Sequence, residues 1–155
     1  MFKILVEIFK RENLLQQAYE VTLEMLKQDK SMFSHAYKLL TQDNPELQND
    51  SYNIYEVDKQ INEYQRDVRR KVLAHLATSQ SRDIVFGLML ISIIIDVERI
   101  GDYTKNINDL VKLHPERLDY YKYKDTIQTL EKNTENRFNL LISAFENSDD
   151  DIAHK

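Results

Sequence analysis

The chain has 155 residues, 42% of them apolar, with no cysteine, two glycines, two prolines and a formal net charge of −5. That length supports one substantial core but not two, and the missing cysteines exclude disulfides, thiolate metal sites and thiol nucleophiles, in keeping with a cytoplasmic protein. The acidic balance argues against a nucleic-acid binder, while the scarcity of Gly and Pro favours long helices, so the expected fold is all-α: an up-down antiparallel bundle of three to four helices.

Residues 1–11 form an amphipathic segment, MFKILVEIFKR. Glu7 interrupts its apolar run and no small-residue cleavage site follows, so it is read not as a signal peptide but as a helix folding back on the bundle, with a membrane-interface or partner-binding helix as the alternative. The first helix is expected from about Glu12 to Thr41, with Leu14, Leu15, Ala18, Val21, Met25, Met32, Ala36 and Leu39 as core candidates. Gln42-Asp43-Asn44-Pro45, followed by Asn49, Asp50 and Ser51, breaks that pattern and marks a connection. A second helix follows from about Tyr52 to Ala77, with Ile54, Val57, Ile61, Tyr64, Val68, Val72 and Leu76 recurring at threes and fours. Thr78 to Ser81 form a polar break, and a third helix starts near Arg82 and ends near His114-Pro115.

The third helix is apolar on nearly all sides until Asp96, which predicts a buried central rod. Its uncharged run, Ile84 to Ile95, is shorter than the roughly 20 residues that cross a bilayer. A fourth helix, about Glu116 to Asn147, is polar and tyrosine-rich at its start and apolar at Phe138, Leu140, Leu141, Ile142 and Phe145. Tyr120, Tyr121 and Tyr123 there suit either a docking patch or the packing of a helix start. MFSHAYKLLTQD at 32–43 and RFNLLISAFENSD at 137–149 form a faint internal repeat.

The chemistry-bearing residues lie in DVERIGDYTKN. Glu98 and Asp102 are four apart and share a helix face, and continuing Leu88, Ile91, Ile94 and Ile95 by threes and fours leads onto them. A carboxylate on a core-facing stripe needs a cation, a proton or a metal ion, and structural pairing of Arg99 with Asp96 or Asp102 is the plain alternative. Asp58 and Asn62 on the second helix are also four apart. With the turn centred near residue 80, both pairs lie roughly 30 Å from it along antiparallel helices and face each other. Together they form an oxygen-rich set suited to a hard or borderline cation. His35 and the pair Glu131 and Glu135 fall at about the same height on the outer helices, though a packed histidine and a solvated acidic face explain them as well. The chain lacks the Glu-x-x-His motifs of a di-iron bundle, and it has no phosphate-binding loop, dinucleotide fingerprint, nucleophile elbow or HExxH.

DIVFGLMLISIIIDVERIGDYTKNI, residues 83–107, resembles the signature helix of the PhoU family, with the ERIGD core intact at 98–102. EVDKQINEYQRDV resembles the family's second helix, matching at Asp58, Ile61 and Asn62. The resemblance spans about residues 12–113 as one three-helix repeat, within a single domain of residues 1–155 that also holds the 1–11 segment and the 116–147 helix. It implies a non-enzymatic regulator or adaptor in phosphate uptake or phosphate signalling, meeting a phosphate transporter or sensor kinase at the inner membrane face. It also implies that Glu98 and Asp102, with Asp58 and Asn62, hold a metal ion such as iron, manganese, magnesium or zinc. The amide of Asn62 stands where the family carries an acid, and Asp83-Ile84-Val85 stands where it carries Asp-Leu-Arg. Family members commonly hold two tandem repeats, which implies a second copy supplied by a homodimer or by further chain. The alternatives are a carboxylate-ligated metalloenzyme and a metal-free structural module.

Overall fold

A computed structural model describes residues 14–41, 52–78, 83–113 and 120–147, the side chains of Tyr120 and Tyr121 excepted. The expectations for the N-terminal segment, the polar connections, His114-Pro115 and the C-terminal tail lie outside these residues. Four helices occupy the described part: α1 Leu14–Thr41, α2 Ile54–Leu76, α3 Ile84–Leu113 and α4 Tyr120–Asn147. No helix among the described residues is long and apolar enough to cross a membrane.

α1, α2 and α3 pack mutually, and α4 lies mainly along α1. The buried seams explain why the three form one unit. On α1 the seam runs Ala18, Thr22, Met25, Asp29, Met32, Ala36, and on α3 Gly87, Leu90, Ile94, Val97, Gly101, Thr104, Asn108. Both alternate fours and threes, the spacing that keeps one stripe of a helix on its neighbours. α2 contributes Ile54, Ile61, Val68, Val72 and His75, and starts at Asn53, whose side chain accepts from the Tyr55 N–H at 3.2 Å. The buried hydroxyls of Thr22 and Thr104 turn back onto the carbonyls of Ala18 and Ile100, four residues earlier, so neither needs a partner across the core.

Contacts fix the directions. Gly87 approaches Val72 and Leu76, and Tyr55 donates to Asp109 at 2.5 Å, so α2 and α3 are antiparallel. Along α4, Phe145 stacks on Tyr19 and Phe138 meets Phe33, so α4 runs antiparallel to α1. The phenylalanines near the start of each copy of the faint repeat, Phe33 and Phe138, thus meet, with ring centroids 5.8 Å apart.

α3 departs from the buried central rod expected of it. Val85, Leu88 and Met89 are each more than half exposed, and Ile84, Phe86 and Ile93 are exposed as well. The physical reason is that a three-helix seam covers only the Gly87, Leu90, Ile94 side of α3. The fourth helix, which could have covered the other side, packs against α1 instead.

Candidate metal centre

The seam geometry places Ile61 of α2 and Asp29 of α1 against Gly101 of α3. A Cβ built on Gly101 would stand 2.9 Å from Asp29 Oδ1 and 3.4 Å from Ile61 Cδ1. A glycine inside a helix costs about 1 kcal/mol relative to alanine, so its presence here reflects the space that Asp29 requires.

One turn from Ile61, one carboxylate of each sequence-predicted pair meets the other through a shared partner. Lys105 Nζ donates to Asp58 Oδ2 at 2.9 Å and to Asp102 Oδ1 at 2.7 Å, so carboxylates from neighbouring helices share one cation. Burial pulls the Lys105 ammonium down, but its bonds to Asp102 and Asp58 outweigh that and hold it above its ordinary value. Asn62 donates its side-chain N–H to the Asp58 carbonyl at 3.0 Å, which leaves its amide oxygen as the atom able to face a cation. Arg99 reaches Asp96 at 3.5 Å on an exposed face, so the structural pairing weighed for this segment exists, but Asp102 takes Lys105 as its partner.

Glu98 and Asp102 do not lie on the core stripe itself, where the continuation from Leu88 places them. The stripe runs through Val97 and Gly101, and each carboxylate sits one position round from it, both partly buried. The carboxylate that does occupy a core position is Asp29, which sequence reasoning missed. It is fully buried, and among the described residues neither of its oxygens has a hydrogen-bond partner. Burial, followed by the charges of Asp58 and Glu98, pushes its carboxyl up from 3.8 to about 8.

His35 stacks on Tyr52, with ring centroids 4.3 Å apart, and Glu135 is exposed and Glu131 partly so on α4. None of the three is drawn into the α2–α3 seam. Among the described residues no group of three or more His, Cys, Asp or Glu side chains is gathered as a metal shell. The donor chemistry nonetheless fits a hard or borderline cation: oxygens from two helices already converge on one positive charge, and the buried Asp29 carboxyl has no hydrogen-bond partner among the described residues.

A family model described as PhoU domain matches residues 22–111, more than half of the chain. The chain belongs to the PhoU domain family. The match begins in α1, takes in all of α2 and ends near the close of α3, so it covers the mutually packed unit and stops short of α4. No curated protein and no solved structure matches the chain. The PhoU domain is that of a family of phosphate-homeostasis regulators, generally without enzymatic activity. In this PhoU domain ERIGD has two structural duties visible at once: Gly101 admits Asp29, and Asp102 meets the second helix through Lys105.

Proposed function

We propose that this PhoU domain is a non-enzymatic regulator of phosphate uptake or phosphate signalling whose α2–α3 seam binds a divalent metal through Asp58, Asn62, Glu98 and Asp102. The observation that carries the reading is the convergence of Asp58 and Asp102 on a single cation position, held by Lys105. A metal bound by these oxygens would supply a fixed double positive charge that ties α2 to α3. The chain's own residues set its terms. Asp58 and Asp102 neutralise it, Asn62 contributes a neutral oxygen, and Lys105 competes for the same carboxylates. The Lys105 bridge also favours a second reading, a metal-free structural module in which the lysine is the permanent partner.

Titration of chelator-treated protein with Mn²⁺, Mg²⁺, Zn²⁺ and anaerobic Fe²⁺, followed by thermal melting and elemental analysis, separates the two. The metal reading expects one of these ions to stabilise the wild type by about 2.7 kcal/mol at a hundredfold excess over Kd. Glu98→Ala/Asp102→Ala loses that gain. Lys105→Met is less stable than wild type without metal, by roughly 1–3 kcal/mol, yet binds metal more tightly because the tethered competitor is gone. A wild type that gains nothing from any of these ions leaves the structural module standing.

We also infer an assembly role, at the inner membrane face with a transporter or sensor kinase and as a homodimer. The exposed Val85, Leu88 and Met89 of α3 support it, since contiguous apolar surface of this kind marks interaction sites. Sedimentation should find a dimer that dissociates on Val85→Ser/Met89→Ser. A wild type that stays monomeric at high micromolar concentration ends the dimer version.

A further inference from the structure

We propose that Asp29 of α1 is a third-helix donor to the cation held by the α2 and α3 pairs, so that the metal ties together all three helices of the repeat. The inference rests on the metal reading above and goes beyond it, because neither four-residue pair includes any residue of α1.

Three observations carry it. Asp29 occupies a core position between Met25 and Met32, where every neighbouring layer of α1 holds an apolar residue or a threonine that satisfies itself locally. Its carboxyl group is fully buried and neither oxygen has a hydrogen-bond partner among the described residues, an arrangement that costs stability unless something compensates it. Finally, it is aimed at the candidate site. Its Oδ1 lies over the bare Cα of Gly101, Asp58 precedes Ile61 by one turn on the other wall, and Glu98 and Asp102 flank Gly101.

The competing explanation is a neutral, protonated Asp29 acting as a small core residue. A protonated carboxyl gains a donor that also calls for a partner, and neither oxygen of Asp29 has a hydrogen-bond partner among the described residues. Lys105, which bridges the neighbouring carboxylates, is committed to Asp58 and Asp102. A group that violates the packing logic of its own seam and points at a cluster of carboxylates fits a binding role better than a structural one.

The test compares wild type, Asp29→Asn and Asp29→Ala for Mn²⁺, Mg²⁺, Zn²⁺ and anaerobic Fe²⁺ binding by calorimetry, with melting in chelator as the control for folding. Both variants should melt cooperatively in chelator, and Asp29→Ala at or above the wild-type temperature, because a buried carboxyl without a hydrogen-bond partner has been removed. Each should bind the ion that wild type binds at least tenfold more weakly. That opposed pair of changes, more stable empty and weaker in binding, is what a merely structural aspartate would not produce. Wild-type affinity in either folded variant overturns the role of Asp29 while leaving the α2–α3 site intact. Absence of binding in wild type itself overturns both readings together.

Discussion

In metal-free protein, the stability advantage of Asp29→Asn over wild type should grow by roughly 3 kcal/mol between pH 5 and pH 8. The unfolded chain ionises Asp29 near 3.8, whereas the folded chain keeps it protonated up to about 8. Between those values the native state binds more protons than the unfolded state, so wild-type stability falls as pH rises through the window. Below it both states are protonated and the penalty vanishes. The charged groups facing Asp29 are Asp58 on α2 and Glu98 on α3, and the Tyr52 phenol feels it in turn; burial is the larger cause, ahead of both carboxylates. Lys105 does not obscure the signal, because its raised value lies above the ordinary 10.5, outside the window. Urea unfolding of both proteins at pH 5 and pH 8 in chelator reads the difference directly. Parallel pH profiles would mean that Asp29 is already compensated in the folded protein.

The four helices and their order were legible from spacing alone, because the three-four alternation of α1 and α3 is carried mostly by apolar residues and the breaks between helices are polar. The facing of Asp58 with Asp102 followed from equal distances along two antiparallel helices, and their sharing of Lys105 shows the same height. Asp29 is hard to pick out by residue type, because it stands in the polar run Lys27-Gln28-Asp29-Lys30. Counting by fours and threes from Ala18 through Thr22 and Met25 lands on Asp29 and continues to Met32 and Ala36. That signal was present in the sequence. The role of Lys105 was also within reach, three residues after Asp102 on the same face. The exposed side of α3 was not legible in this way. An all-round apolar helix states that both sides are meant to be covered, whereas the choice of α4 to lie along α1 is a tertiary matter that no local period encodes.

Gly101→Ala should destabilise the protein by about 1–3 kcal/mol, against the gain of about 1 kcal/mol that the same change normally brings inside a helix. The reversal comes from one contact. The added methyl would stand 2.9 Å from Asp29 Oδ1 with Ile61 Cδ1 at 3.4 Å behind it, and Asp29 is a short side chain enclosed on all sides, with little room to swing away. Gly87→Ala is the control. Its methyl would meet the methyl groups of Leu76 and Val72 at 3.0–3.2 Å, but Leu76 is only partly buried and ends α2, so it can give, and the net change should stay within about 0.5 kcal/mol. A double-mutant cycle assigns the cause. With Asp29→Ala in the background the Gly101 methyl gains the room that the carboxylate held, so the cost of Gly101→Ala should shrink by at least about 1 kcal/mol. If Gly101→Ala stabilises the wild type, or costs the same with and without Asp29, the glycine of ERIGD is not there to admit the buried carboxylate. The link between the α3 motif and α1 would then have to be sought elsewhere along the seam.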